Sequence, residues 1–196
     1  AYTGDIKTAQ KSLENGAAIN YVSKTGFSAL HISVYSGDLK MVEYLIKNGA
    51  KIDLMTKFEE YTPIFLAVLR NNQEMVELLI KKGAKLTHYS KKTGSLLHAC
   101  AFNNNVELAN FLLDLNYNID NNDNIFGFTP LHIAMKEKSY EMIEFLLKKG
   151  ANLNAKTKIE FKEKKIILKA GSTPIEFARA FKNEKVVDFV NKITAK

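Results

Sequence analysis

Histidine and cysteine are the residue types in this chain that could bind a metal ion or act as a nucleophile. His31, His98 and His132 each stand at the fourth position of a recurring Ser/Thr-x-x-His segment. Packed helices lie about 8–10 Å apart, whereas zinc–nitrogen bonds are about 2 Å long, so histidines on separate helices should not converge on one ion. We expect each imidazole to tie its helix start to a neighbouring loop through hydrogen bonds. His88 is expected in a solvated connection.

Cys100 follows His98 by two residues, a spacing that places side chains on different faces of a helix and makes a poor catalytic pair. We expect its thiol to be inert packing. No Gly-rich phosphate loop is present. Glutamates recur once per repeat, as on a solvated outer face: Glu43, Glu77, Glu107 and Glu144. The sequence therefore predicts no enzyme active site, no cofactor and no metal site.

The composition is that of a globular chain. Of the 196 residues 46% are hydrophobic and 25% charged, and the net charge is +7. No apolar run approaches the roughly 18 residues that span a bilayer. The single cysteine excludes a disulfide framework and fits a reducing, cytoplasmic compartment, with an exported or effector protein left open. Lys156–Lys169 holds six Lys and two Glu, a local net charge of +4.

The elements that position these side chains repeat along the chain. The pair Gly-Ala begins at residues 16, 49, 83 and 150, with gaps of 33, 34 and 67 residues, and 67 corresponds to one skipped repeat. Asn116-Tyr117 stands at the skipped place. Asn is the usual substitute for Gly where the backbone turns left-handed. We therefore predict a left-handed helix stop at every one of these sites.

A second signature runs in step with the first. Its five copies begin at Ser28, Thr62, Ser95, Thr129 and Thr173, where a hydroxyl can cap a helix and Pro often follows at the first helical position. Between the two signatures the apolar spacing is helical, as in Val42, Leu45 and Ile46. Each unit is predicted to contain a capped first helix, a turn, a second helix, a Gly stop and a polar connection.

At this point the chain resembles the ankyrin-repeat family, since Thr129-Pro130-Leu131-His132-Ile133-Ala134 matches the T-P-L-H-x-A pattern in full. The resemblance covers essentially all of the chain. It implies an all-α solenoid of stacked helix-turn-helix units with β-hairpin loops, in which each unit contacts only its neighbours. We expect one domain over residues 1–196, with approximate repeats 1–22, 23–56, 57–89, 90–123, 124–167 and 168–196.

Two repeats depart from the pattern. Residues 1–20 supply only a second helix and its Gly stop, which suggests that a preceding segment is missing. About eleven extra residues precede the last unit, where Ile159–Lys162 and Ile166–Lys169 flank a Glu163-Lys164-Lys165 tip. Alternating apolar and charged residues favour an elongated hairpin finger, and a disordered Lys-rich loop is the alternative.

The resemblance implies that partners are held by hairpin tips and by the outward side of first helices, along a concave groove. Carried over to this chain, the candidate protein-binding residues are Lys24, Phe27, Tyr35, Phe58, Tyr61, Leu69, Arg70, Lys91, Lys92, Phe102, Phe126, Phe128 and Lys136. Aromatic and basic residues together are typical of interface hot spots, and the basic ones favour an acidic partner. Phe27, Tyr61 and Phe128 share one repeat position, where the rings could instead pack between tips.

The expected function is therefore a monomeric scaffold that binds another protein. The alternative is binding of a polyanion, either a nucleic acid or an anionic membrane surface, through the Lys-rich residues 156–169. The two differ in salt dependence, since binding through phosphate neutralisation weakens steeply as salt rises.

Overall fold

The computed structural model describes residues 5–87, 90–163 and 166–195. His88 and the Lys164-Lys165 part of the predicted finger tip lie outside the described residues. The chain divides into two compact units, residues 1–88 and 89–196. Within the described residues each unit consists of short helices, and the second also contains a two-stranded sheet. That a single domain spans the whole chain stays a prediction.

The first unit contains five helices in its described part. They are α1 (Ile6–Glu14), α2 (Ala29–Ser36), α3 (Leu39–Lys47), α4 (Pro63–Leu69) and α5 (Gln73–Lys81). Helix α2 packs against α3 and α4, and α4 packs against α5. Val42 and Leu45 of α3 are buried, as the helical spacing predicted. Helices of seven to nine residues are marginal alone, so this packing is what stabilises them.

The second unit continues the same pattern and ends differently. Its elements are α6 (Leu96–Asn103), α7 (Val106–Asp114), α8 (Pro130–Glu137), α9 (Tyr140–Lys148), β1 (Phe161–Glu163), β2 (Ile166–Leu168), α10 (Pro174–Ala180) and α11 (Glu184–Thr194). First helix α8 packs against first helices α6 and α10, while strand β2 contacts α10. The strands are antiparallel, with Phe161 opposite Leu168 and Glu163 opposite Ile166.

Helix starts and stops follow the signatures in the sequence. Pro63, Pro130 and Pro174 occupy first helical positions, as predicted. The second helices add a cap that the sequence analysis did not identify: the side chains of Asp38, Asn72 and Asn105 accept the backbone N–H groups of Met41, Met75 and Leu108.

The predicted left-handed stops are confirmed. Gly83 follows α5 with a φ of 93°, and Asn116 follows α7 with a φ of 60°. The N–H of Gly83 donates to the carbonyl of Ile80, and the N–H of Asn116 donates to that of Leu113, at 2.9 Å in both cases. Asn116 therefore makes the same turn as the glycines, which explains why the Gly-Ala period skips one repeat.

Candidate binding surface on the loop tips and first helices

The buried histidines fix the loops that carry the candidate residues. His98 Nδ1 accepts the N–H of Ser95 at 3.0 Å, so Nε2 carries the proton and donates to the carbonyl of Phe128 at 2.7 Å, in the next repeat. In the same way His31 donates to Tyr61 and His132 donates to Ser172. The predicted tie between helix start and neighbouring loop is confirmed.

Burial keeps these imidazoles neutral. Burial lowers the pKa of His98 and that of His132 to about 4, and it also lowers the pKa of His31. An uncharged Nδ1 is also required to accept the N–H of the cap residue. These histidines therefore serve as structural hydrogen-bond bridges between repeats.

Direct backbone hydrogen bonds also join the hairpin tips of successive repeats. In each a backbone N–H of one tip donates to a carbonyl of the preceding tip. The pairs, donor first, are Lys57 and Gly26 at 3.1 Å in the first unit, then Ile125 and Lys91 at 2.8 Å and Lys158 and Phe126 at 2.8 Å in the second. Within each unit the tips therefore form a connected row rather than independent loops.

Exposed aromatic side chains stand on this row and on the first helices of the first unit. Tyr35, on α2, is 53% exposed, and Phe58, on a tip, is 57% exposed. The guanidinium carbon of Arg70 lies 4.6 Å from the Tyr35 ring centroid, and the ammonium of Lys57 lies 5.6 Å from that of Phe58. Lys57 was not among the sequence candidates, although it directly precedes Phe58.

The remaining candidates in the first unit differ in how much surface they present. Lys24 is exposed and Leu69 is half-buried. Half-buried Phe27 has its ring 6.1 Å from that of His31, and Tyr61 stacks on Phe65 at 4.7 Å. At Phe27 and Tyr61 the rings thus contact a helix residue of their own repeat, whereas the alternative in the sequence analysis was packing between neighbouring tips.

In the second unit the candidates fall into two groups. Phe102, on α6, is 57% exposed, and Lys91 and Lys92 are exposed on a tip. Phe126, Phe128 and Lys136 are instead packed against other residues of the unit.

An aromatic cluster accounts for the second group. Phe128 is only 7% exposed, and its ring lies 5.1 Å from Phe126, 5.2 Å from Phe161 and 4.8 Å from Phe177. Phe128 has little surface to offer a partner, because helix α10 and the finger pack against it. Lys136 Nζ donates to Glu163 Oε2 at 2.8 Å.

The finger forms two antiparallel strands, β1 and β2, as the alternation of apolar and charged residues favoured. The first strand begins at Phe161 rather than at Ile159, whose side chain is exposed. Sequence reasoning did not select Phe161 or Glu163 as candidates, although the alternation places both on the same face of the strand.

The described residues offer little for catalysis. Cys100 is fully buried, and burial raises the pKa of its thiol to about 12, so no nucleophilic thiolate forms near neutral pH. No group of three or more His, Cys, Asp or Glu side chains within residues 5–87, 90–163 and 166–195 is arranged to hold a metal ion. None of the helices described is long and apolar enough to cross a membrane.

Comparison with known proteins identifies the repeat. The family model for ankyrin repeats (3 copies) matches residues 1–90 and 86–157. The chain is also similar to an ankyrin repeat protein of Rickettsia felis, with 38% identity over 63 residues. That match covers 32% of this chain and 21% of the relative, so it spans about a fifth of the relative's length.

Proposed function

The chain belongs to the ankyrin-repeat family, whose members generally mediate protein–protein interaction and are typically not enzymes, and we propose that this chain binds a partner protein through its tips and first helices. The tip surface of the first unit, meaning Lys24, Tyr35, Phe58, Leu69 and Arg70, is the principal site. Phe102, Lys91 and Lys92 form a corresponding site on the second unit.

The observation that carries the proposal is the exposure of Tyr35 and Phe58 on backbone held by hydrogen bonds. More than half of each side chain contacts solvent, and the tip of Phe58 is bonded to the preceding one through Lys57 and Gly26. An aromatic ring on rigid backbone offers a large contact area at little entropy cost. At about 25 cal/mol per Å², covering either ring would contribute about 2–3 kcal/mol to binding.

Arg70, which lies over the Tyr35 ring, favours a partner with an acidic group. A guanidinium in such a cation–π contact can still direct N–H groups to a carboxylate. At the tips Lys24 and Lys57 add positive charge, and Glu59 and Glu60 add negative charge next to Phe58. Such charges mainly increase the association rate and select the partner.

Binding of a polyanion by the finger has weaker support. Lys158 Nζ donates to the carbonyl of Asn122 at 2.6 Å, and Lys162 pairs with Glu160 at 2.7 Å. Two of its lysines are thus engaged within the unit. Salt distinguishes the two functions: affinity for a partner held by aromatic anchors should change little between 50 and 200 mM salt, whereas binding to several phosphates should fall by orders of magnitude.

The test is affinity capture from an extract of the source cells, followed by a titration with the captured protein once it is purified. The site variant carries Tyr35→Ala and Phe58→Ala. The control carries Tyr44→Ala and Lys47→Ala, which remove a half-buried ring and an exposed cation of the second helix α3 in the same unit. Light scattering of the unbound chain tests the expected monomer.

We expect the site variant to bind at least about 30-fold more weakly than the wild type, since hot-spot truncations cost 2 kcal/mol or more. The control should bind within about twofold of the wild type. Equal affinities of the site variant and the wild type would show that the tip surface is not the binding site. The description of the fold would not change.

A further inference from the structure

The finger covers a surface of the second unit. The corresponding surface of two other repeats, at Tyr35 and at Phe102, is exposed. Phe161 of β1 lies 4.9 Å from the ring of Phe126 in an edge-on contact, and Glu163 accepts a hydrogen bond from Lys136. Lys136 holds the same position of its repeat, four residues after the His slot, that exposed Tyr35 and Phe102 hold in theirs. The extra residues of the chain thus occupy the candidate surface at α8.

The contact has the composition of a recognition site. The acceptor side offers an aromatic wall, formed by Phe126, Phe128 and Phe177, and one cation, Lys136, whose Nζ also lies 5.1 Å from the Phe181 ring centroid. The finger supplies a ring to the wall and a carboxylate to the cation. Lys136 is partly shielded from water, which strengthens its ion pair relative to a fully exposed one.

The strand geometry specifies the spacing of these two groups. Side chains two residues apart on a strand point to the same face. Phe161 and Glu163 are both partly buried, whereas Lys162 between them is exposed. On the second strand Ile167, which is opposite Lys162, is also exposed, so this face of the ribbon points away from the helices.

We propose that the surface on α8 and α10 is a binding site for an extended segment with an aromatic residue two positions before a carboxylate, and that the finger is its built-in occupant. The finger keeps the site closed, and a partner segment with the same two groups opens it by displacement. This inference rests on the proposed function, because it names the partner chemistry for the second unit.

Intramolecular occupancy explains why the site would stay closed without a partner. A tethered segment has an effective concentration in the millimolar range, so a weak contact suffices to keep it in place. The base of the finger is held by the Lys158 to Phe126 backbone hydrogen bond and need not move. Displacement has to release β1 and β2, including Leu168, which is buried against Phe128 and Phe177.

The finger itself supplies the probe. A fluorescent peptide of residues 158–170 is titrated into the wild-type chain and into a chain carrying Phe161→Ala and Glu163→Gln, with anisotropy as the readout. The control peptide carries the same two substitutions. We expect the native peptide to bind the double variant at least about tenfold more tightly than the wild type, whose own finger competes, and the control peptide to bind the variant at least about tenfold more weakly than the native peptide.

Circular dichroism and urea unfolding verify that the double variant is folded. If it is not, Glu163→Gln alone replaces it and is compared with Lys162→Gln, which changes the neighbouring side chain that faces solvent. The peptide should then bind the Glu163→Gln chain more tightly than the Lys162→Gln chain.

Equal binding of the peptide to open and closed chains, or equal binding of native and control peptides, would overturn the inference. Neither result would bear on the proposed site at Tyr35 and Phe58, which lies in the first unit and is tested separately. Failure of that test, with success of the peptide titration, would leave the second unit as the binding site.

Discussion

Acidification from pH 7 to pH 5 should destabilise the second unit through its two buried histidines. Burial lowers the pKa of both His98 and His132 to about 4, against about 6.5 in an unfolded chain. The unfolded state therefore takes up protons between pH 6.5 and pH 4, while the folded state does not. The stability that these groups contribute is complete above pH 6.5 and is lost as the pH falls toward 4.

The magnitude follows from the two pKa values. Each histidine contributes a loss of about 2 kcal/mol between pH 7 and pH 5, and about 3 kcal/mol over the whole interval down to pH 4. The N–H of Thr173 is the main cause that lowers the carboxyl pKa of Glu176, which moves its titration further from the range between pH 7 and pH 5. The free energy of unfolding of the second unit should thus fall by about 4 kcal/mol between pH 7 and pH 5.

The assay is urea unfolding, followed by circular dichroism, at several pH values for the wild type and for His98→Phe. Phe65 fills the same slot in another repeat and is buried there, so the chain itself shows that the replacement can be accommodated. Phe128 O would keep a donor, because Asn124 Nδ2 lies 2.7 Å from it.

The variant should lose about 2 kcal/mol less than the wild type between pH 7 and pH 5, whatever its stability at pH 7. Identical pH dependence of the two proteins would refute the assignment of a neutral, proton-poor His98. The comparison does not depend on carboxylates, which both proteins share.

Three further perturbations have expected outcomes. Phe177→Ala should cost about 3–5 kcal/mol and accelerate hydrogen exchange of α10, because the ring is fully buried, whereas Phe102→Ala should change stability by less than about 0.5 kcal/mol; similar costs for both would contradict the core assignment. Cys100 should resist a thiol reagent at pH 8 until the chain unfolds, since it is buried with a pKa of about 12; rapid labelling of folded protein would disprove this. Gly150→Ala should cost about 1–2 kcal/mol from its positive φ alone, and Gly127→Ala clearly more, because its Cβ would lie 2.7 Å from the backbone nitrogen of Lys158; equal losses would show that the two tips are not in contact.

Features set by neighbouring residues could be predicted from the sequence. Asn116 makes the left-handed turn because its short amide tolerates positive φ, and Thr62 caps α4 because its hydroxyl accepts the N–H of Phe65. The finger strands follow from alternation over a few residues. Each of these depends on contacts within seven positions along the chain, which the local sequence pattern records directly.

What covers a tip could not be predicted in this way. The repeat period places Phe126, Phe128 and Lys136 on tips and a first helix, but their burial depends on Phe161 and Glu163, more than 25 residues later. Periodicity gives the position of a residue within its repeat and carries no information on where an insertion folds. The exposed candidates Tyr35 and Phe102 lie in repeats without an insertion, and for these two residues the repeat position was sufficient to predict exposure.

The central claim is that a protein partner binds the tips and first helices, and hydrogen exchange of the complex tests it most directly. With the captured partner bound, amides in residues 23–36 and 56–70 should exchange more slowly, and those of the second helices α3 and α5 should be unchanged. Protection confined to α3 and α5, with residues 23–36 and 56–70 unaffected, would contradict the claim.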